Sequence, residues 1–267
     1  MYICATFKDG KMLIDTHTHI YSEDFADDLD AMIQRAFDAG VSRFYLPAID
    51  VAAIESMHKV EEKYPKEVYL MMGLHPCYVK ENYAEELEKI KQELHKRPYA
   101  AVGEIGLDLY WDKTHLKAQQ EAFREQIRWA KDLKLPIVIH CREAFDAIFE
   151  ILETERSPDL YGIFHCFSGN YEQAMRAISY QMKLGIGGVV TFKNGKIDQF
   201  LSKIGLEHLV LETDAPYLAP VPFRGKRNES SYLQYVVEKL SAIYGLSAEE
   251  IGKKTTDNAL SVFRDYK

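Results

Sequence analysis

The sequence predicts a single-domain α/β protein folded as a (β/α)8 TIM barrel. Three observations carry the prediction. Eight short apolar, β-branched runs punctuate the chain. The gaps between them are too long for hairpins and hold amphipathic helical patterns. The 267 residues suit one barrel of eight such units. The runs read as continuous apolar stretches rather than strict alternation, as parallel strands buried on both faces do. A doubly wound open sheet also alternates strand and helix, but eight is the barrel's own strand number. No composition break or Pro/Gly-rich linker suggests a second domain.

The first run, MLIDTH at 12–17, ends on His17, with His19 two residues further on. SRFYLP at 42–47 is the second. EVYLMMG at 67–73 is the third and leads into Gly73-Leu74-His75-Pro76. YAAVGEIG at 99–106 carries Glu104 near its end, with Asp108 just past it. A helix is predicted over 116–134, where Phe123, Ile127, Ala130 and Leu133 recur at helical spacing. PIVIHC at 136–141 carries His140, and YGIFHCF at 161–167 carries His165. KLGIGGV at 183–189 contains Gly185-Ile186-Gly187-Gly188, which lacks the third glycine of a dinucleotide fingerprint and reads as close packing at a strand end. HLVLETD at 208–214 ends on Asp214. Helices over 229–244, with Leu233, Val236, Val237 and Leu240 on one face, and over 247–265 complete the chain. Residues 1–11 form an N-terminal extension, and 12–267 the barrel domain.

Lys plus Arg number 33 against 41 Asp plus Glu, a net charge of −8. With 47% hydrophobic and 28% charged residues, a disordered chain, a collagen-like repeat and a disulfide-stapled miniprotein are excluded. A protein gripping long nucleic acid through a broad basic face should be basic, so any such role here is local. Cys4, Cys77, Cys141 and Cys166 form no C-x-x-C pair, which removes zinc-ribbon and thioredoxin-type readings and fits a reducing cytosol. MYICATFKDGK at the start has no apolar signal region, and no stretch approaches the roughly 18 apolar residues of a spanning helix. A cytoplasmic protein without a membrane partner is expected. Asn228-Glu229-Ser230 matches a glycosylation sequon by chance. There is no phosphate-loop motif, zincin helix or nucleophile elbow.

The chemistry lies at the ends of the predicted strands. Alternate side chains share a face, so His17 and His19 project together. Glu104, His140, His165 and Asp214 end four other strands. In a barrel these carboxyl ends converge on one mouth. One buried histidine is more often a hydrogen-bonded core residue. Six such groups at five strand ends would be costly to crowd together unless they hold metal. Imidazole plus carboxylate without thiolate suits zinc, manganese, iron or cobalt, and magnesium if several waters remain. Six ligands suit two divalent metal ions sharing a carboxylate, and Glu104 is the bridging candidate. Strand alternation turns Cys141 and Cys166 away from the mouth as packing residues. His75 and Arg142 lie on the same rim. The loop Arg224-Gly225-Lys226-Arg227 falls where barrel phosphate sites often form. His58, His95, His115 and His208 read as surface or structural.

Taken in order, IDTHTH (14–19), GLHP (73–76), EIGLD (104–108), HCR (140–142), HCFSG (165–169), VTFKN (190–194), ETDAPYLAP (212–220), RGKRNE (224–229) and NALSVF (258–263) give the chain a family likeness. It resembles the TatD family of metal-dependent deoxyribonucleases, within the amidohydrolase superfamily. The resemblance implies a dinuclear centre, one metal held by His17, His19, Glu104 and Asp214 and the other by Glu104, His140 and His165. It also implies hydrolysis of DNA phosphodiesters, as an exonuclease in some members. The expected mechanism is attack by a metal-activated water. Glu104 and Asp214 are the catalytic carboxylates, and Asp214 orients the water. His75, Arg224 and Lys226 bind substrate phosphate. The expected partner is DNA, gripped locally by a monomer or weak oligomer. Two departures stand out: Ser230 occupies a position where the family often has Pro, and residues 1–11 are extra. A small-molecule metallohydrolase acting on an amide, lactone or phosphoester would share every ligand. Many such relatives bridge their metals with a modified lysine where this chain has Glu104. A non-catalytic protein-binding scaffold should have lost ligands, and none is missing.

Overall fold

The computed structural model describes residues 13–111 and 113–263; the expected extension at 1–11 lies outside them. All eight predicted strands form. They are β1 (Leu13–Asp15), β2 (Val41–Pro47), β3 (Val68–Met72), β4 (Ala101–Asp108), β5 (Ile137–Arg142), β6 (Gly162–Phe164), β7 (Met182–Ile186) and β8 (Leu209–Leu211). Each pairs in parallel with the next, in the order β1 to β8. The barrel closes where Thr16 N–H donates to Leu211 O at 3.0 Å. Asp15 reinforces this seam. Its fully buried carboxylate accepts from Thr213 N–H at 2.9 Å and from the Thr213 hydroxyl at 2.6 Å. Burial pushes the Asp15 carboxyl up to about 7.

The helices are α1 (Leu29–Asp38), α2 (Ala53–Lys63), α3 (Tyr83–Lys96), α4 (Leu116–Leu133), α5 (Phe145–Thr154), α6 (Tyr171–Ser179), α7 (Leu233–Tyr244) and α8 (Ala248–Val262). The predicted helix at 116–134 is α4, whose Phe123, Ile127 and Ala130 are buried against the sheet. The helix expected from 229 starts four residues later, after a single 3-10 turn at Ser230–Tyr232. The gap between β7 and β8 holds four 3-10 turns instead of an α-helix. Here the chain hugs its neighbour: a Cβ on Gly188 would lie 2.1 Å from Leu218 O. The expected close packing at the Gly-Gly pair is therefore real.

Strand alternation builds two layers of core. Leu13, Phe44, Leu70, Ile139 and Leu184 face the helices. Ile14, Tyr45, Met71, Val138, Ile163 and Val210 pack together with Phe263, from just beyond α8. The Tyr45 and Phe263 rings stack at 3.9 Å. Burying each such side chain contributes roughly 1.5–3 kcal/mol. This plug fills the barrel interior and leaves polar groups for the carboxyl-end mouth.

Candidate metal centre

Six predicted ligands come together at that mouth. Only Glu104 and His140 lie within strands; His17, His19, His165 and Asp214 fall just past β1, β6 and β8. Strand alternation therefore does not aim them, contrary to the sequence reading. Cross-chain backbone bonds do: Thr18 N–H to Tyr45 O at 3.1 Å, His19 N–H to Ala215 O at 2.7 Å and Asp214 N–H to His17 O at 2.9 Å. Asp214 has a left-handed backbone, φ 56°, which Asp tolerates better than most residues. On β4 the register against β5 shifts between Val102 and Ile105, so the irregularity falls at Glu104.

Glu104 sits at the centre, 2% exposed. Its Oε2 lies 3.1 Å from His17 Nε2 and 3.9 Å from His19 Nε2. Its Oε1 lies 2.9 Å from His140 Nδ1, 3.4 Å from His75 Nε2 and 3.6 Å from His165 Nε2. Asp214 Oδ1 is 3.4 Å from His19 Nε2, 3.8 Å from His165 Nε2 and 3.9 Å from His17 Nε2. Three overlapping groups hold ligand atoms within 4.8 Å of one another: His17, His165 and Asp214; His17, His19 and Glu104; His75, Glu104 and His140. The donors fit a cation. The ring nitrogens of His17, wholly buried, lack a well-formed hydrogen bond to any protein group.

Tyr21 and Glu212, which the sequence did not single out, and Asp108, expected just past Glu104, lie against the imidazoles. Tyr21 donates its hydroxyl proton to Pro47 O at 2.6 Å, so the contact between its oxygen and His19 Nδ1, at 2.9 Å, must use an Nδ1–H. The His19 Nε2 lone pair is then free toward Glu104 and Asp214. Glu212, fully buried, lies against His165: its Oε1 is 3.1 Å from Nδ1, a charge contact without hydrogen-bond alignment, and accepts the Cys166 N–H. Gly185 makes room, because a Cβ there would lie 2.2 Å from Glu212 Oε2. Asp108 Oδ2 lies 2.9 Å from His140 Nε2, which leaves Nδ1 toward Glu104. His75 is different. Its Nδ1 accepts the Cys77 N–H at 3.1 Å, so the neutral ring carries its proton on Nε2. His75 thus faces Glu104 as a donor and not as a metal ligand.

The local field follows from this packing. Burial opposes charge on His165, but Glu212, Glu104 and Asp214 outweigh it and raise the imidazole pKa while no cation competes for the Nε2 lone pair. Burial would also raise Glu104, yet the surrounding His75, His17 and His165 hold its carboxyl well below the usual range. Desolvation keeps the His17 imidazole neutral. Burial, opposed by His165 and His19, leaves Asp214 below its ordinary value. Cys141 and Cys166 belong to none of the ligand groups, and burial raises both thiols. For Cys166 the reason differs from the one expected, since it lies beyond β6 with φ 43°.

The basic loop is not brought into this cluster as a block. Arg227 is bound bidentately by Asp28, at 2.7 and 2.8 Å, and Arg35 pairs with Glu229 at 2.6 Å. Arg224 lays its guanidinium 3.7 Å from the Phe192 ring centre, and Lys226 lies 5.9 Å over Phe223. Among the described residues, neither forms an ion pair with a ligand carboxylate. His58, His95, His115 and His208 contact Glu93, Lys91, Glu81 and Glu207, away from the cluster.

A family model described as TatD related DNase matches residues 14–264. The chain belongs to the TatD family. The TatD chain is 39% identical over 254 residues to the uncharacterized metal-dependent hydrolase YabD of Bacillus subtilis (strain 168), covering 95% of this chain and 99% of that one. It is 34% identical over 253 residues to the metal-dependent hydrolase YjjV of Escherichia coli (strain K12), covering 94% and 97%. The crystal structure of YjjV, a TatD homologue, superposes with a TM-score of 0.89 at 33% identity, over 95% of this chain and 98% of that one. A TatD family hydrolase from Entamoeba histolytica, 21% identical, shares the fold with a TM-score of 0.82 over 96% and 99%. Among the described residues of this TatD chain, no helix is long and apolar enough to cross a membrane.

Proposed function

We propose that the chain is a metal-dependent deoxyribonuclease that hydrolyses DNA phosphodiester bonds as an exonuclease. One observation carries the reading. Glu104 divides its two oxygens between two sets of imidazoles, Oε2 toward His17 and His19 and Oε1 toward His140 and His165. A carboxylate so placed would serve two cations, one held with His17, His19 and Asp214, the other with His140 and His165. Zinc, magnesium or manganese bound there would polarise a phosphodiester and acidify water. The rest falls to the chain's own groups. Asp214, held ionised, orients the attacking water and takes its proton. His75 offers its Nε2–H to a phosphate oxygen. Arg224 and Lys226 would supply local positive charge, which reconciles a net charge of −8 with a polyanionic substrate. A carboxylate rather than a lysine as the bridge, and the family's description, support DNA over a small molecule.

The test is degradation of 3′- and 5′-labelled oligonucleotides by the chelated protein with metal added back, beside a panel of lactones and phosphoesters. Hydrolysis of the oligonucleotides from one end, lost with chelator and lost in Glu104→Ala, is the expected result. Full metal-dependent activity in Glu104→Ala would refute the bridging role. Turnover of the small molecules alone would refute the nuclease.

A further inference from the structure

Two large aromatic side chains stand in water in the turn just past β4, Trp111 at 69% and Tyr110 at 50% exposed. Clustered exposed apolar surface marks a binding site more often than a packing failure. The turn is also anchored to the metal centre. Tyr110 N–H and Trp111 N–H donate to Asp108 Oδ1 at 2.9 and 3.1 Å, while Oδ2 of the same carboxylate contacts His140 Nε2 at 2.9 Å. One side chain therefore separates the aromatic pair from a candidate ligand. The rings meet edge to face, with centres 4.9 Å apart and planes at 87°. Arg142, two residues after His140, sets an exposed guanidinium 4.0 Å from the Tyr110 ring centre and 5.2 Å from that of Trp111.

We propose that Trp111 and Tyr110 form a stacking platform for an unpaired nucleobase beside the scissile phosphate, with Arg142 gripping the adjoining backbone. The proposal rests on the nuclease reading and adds a base-binding subsite to it. An aromatic pair with a guanidinium lying over its rings joins a flat π-surface to a cation, which matches a nucleotide, a flat ring joined to an anion. A base in a duplex hides its faces against its neighbours, so the platform selects unpaired ends. Every base has such a face, so selection by sequence is weak.

The chain has two tryptophans, and the other, Trp129, is buried at 6% exposure. In a Trp129→Phe background, emission reports on Trp111 alone. The metal-loaded full chain is titrated with hexathymidylate carrying hydrolysis-resistant phosphorothioate linkages, and with the same oligomer built from abasic tetrahydrofuran residues. The base-bearing oligomer should quench Trp111 and bind about 5- to 150-fold more tightly, which is about 1–3 kcal/mol per stacked base. Trp111→Ala should erase most of that ratio. Anisotropy of labelled oligomers on the unaltered chain reads the same ratio should Trp129→Phe fail to fold. Equal affinity for both oligomers, or quenching by both alike, overturns the platform. Cleavage of unmodified hexathymidylate is followed in parallel. Cleavage without base-dependent binding removes the platform and leaves the nuclease. Base-dependent quenching without cleavage keeps the platform and removes the nuclease.

Discussion

Exchanging Glu212 for Gln preserves the shape of a fully buried side chain and removes its charge. Oε1 receives the Cys166 N–H and faces His165 Nδ1 at 3.1 Å, whereas Oε2 has no hydrogen-bond partner. A Gln with its carbonyl in the Oε1 position keeps both acceptor contacts. Its NH2 then enters the dry slot against Gly185, where unpaired donors cost about 1–3 kcal/mol. Turned over, the amide opposes the Cys166 N–H and pushes His165 to its other tautomer. The proton then sits on Nε2, which lies 3.6 Å from Glu104 and 3.8 Å from Asp214. A protonated Nε2 has no lone pair for a cation. Loss of such a supporting contact lowers metal affinity by about 10- to 100-fold, or about 1.4–2.8 kcal/mol. Competition against a chromophoric chelator measures the affinity, and circular dichroism melting checks the fold. A Glu212→Gln chain that melts normally and binds metal as tightly as the natural one would show that Glu212 only fills space.

Tyr21→Phe leaves His19 Nδ1 and Pro47 O without their shared partner, and should destabilise the chain by about 1–3 kcal/mol in denaturant titration while weakening metal binding. Divalent cation at 100 times its Kd should raise the unfolding free energy by about 2.7 kcal/mol, a gain that chelator removes and that Glu104→Ala lacks. Asp28→Asn breaks the bidentate bond to Arg227, whose hydrogen bond lowers the Asp28 carboxyl to about 2 from 3.8. A carboxylate with a depressed folded value stabilises above the unfolded value and loses that effect as pH falls through the folded one. The difference in melting temperature between Asp28→Asn and the natural chain should therefore shrink as pH drops from about 4 to about 2. At neutral pH it should correspond to no more than about 1 kcal/mol, because the pair is solvent-accessible. An unchanged difference at pH 2 would place the effect of Asp28 in packing.

Much of the site was legible because its donors recur at one point in each repeating unit. His17, Glu104, His140, His165 and Asp214 each follow an apolar run, and all of them meet. The same pattern held unused signals. Tyr21 continues the two-residue spacing of His17 and His19, and Glu212 stands two residues before Asp214. The strand ends were harder. The predicted first, sixth and eighth runs extend past β1, β6 and β8, because Thr16-His17, His165-Cys166-Phe167 and Glu212-Thr213-Asp214 belong to the turns into the mouth and not to the ladder. The gap between β7 and β8, expected to be helical like the others, holds 3-10 turns. At its start the backbone of Gly188 runs close against Leu218.

Arg227 looked like part of a basic patch, and its charge is neutralised by Asp28, a residue from the other end of the chain. That case marks the division. Periodicity and donor types depend on neighbours two to four residues away, so the amino-acid sequence by itself determined the barrel and which donors are candidates for the mouth. Which carboxylate oxygen faces which imidazole, which ring nitrogen keeps its proton and which cation stays exposed depend on groups from different strands. Closure of the sheet at Thr16 and Leu211 sets those distances, and only the tertiary structure decides them.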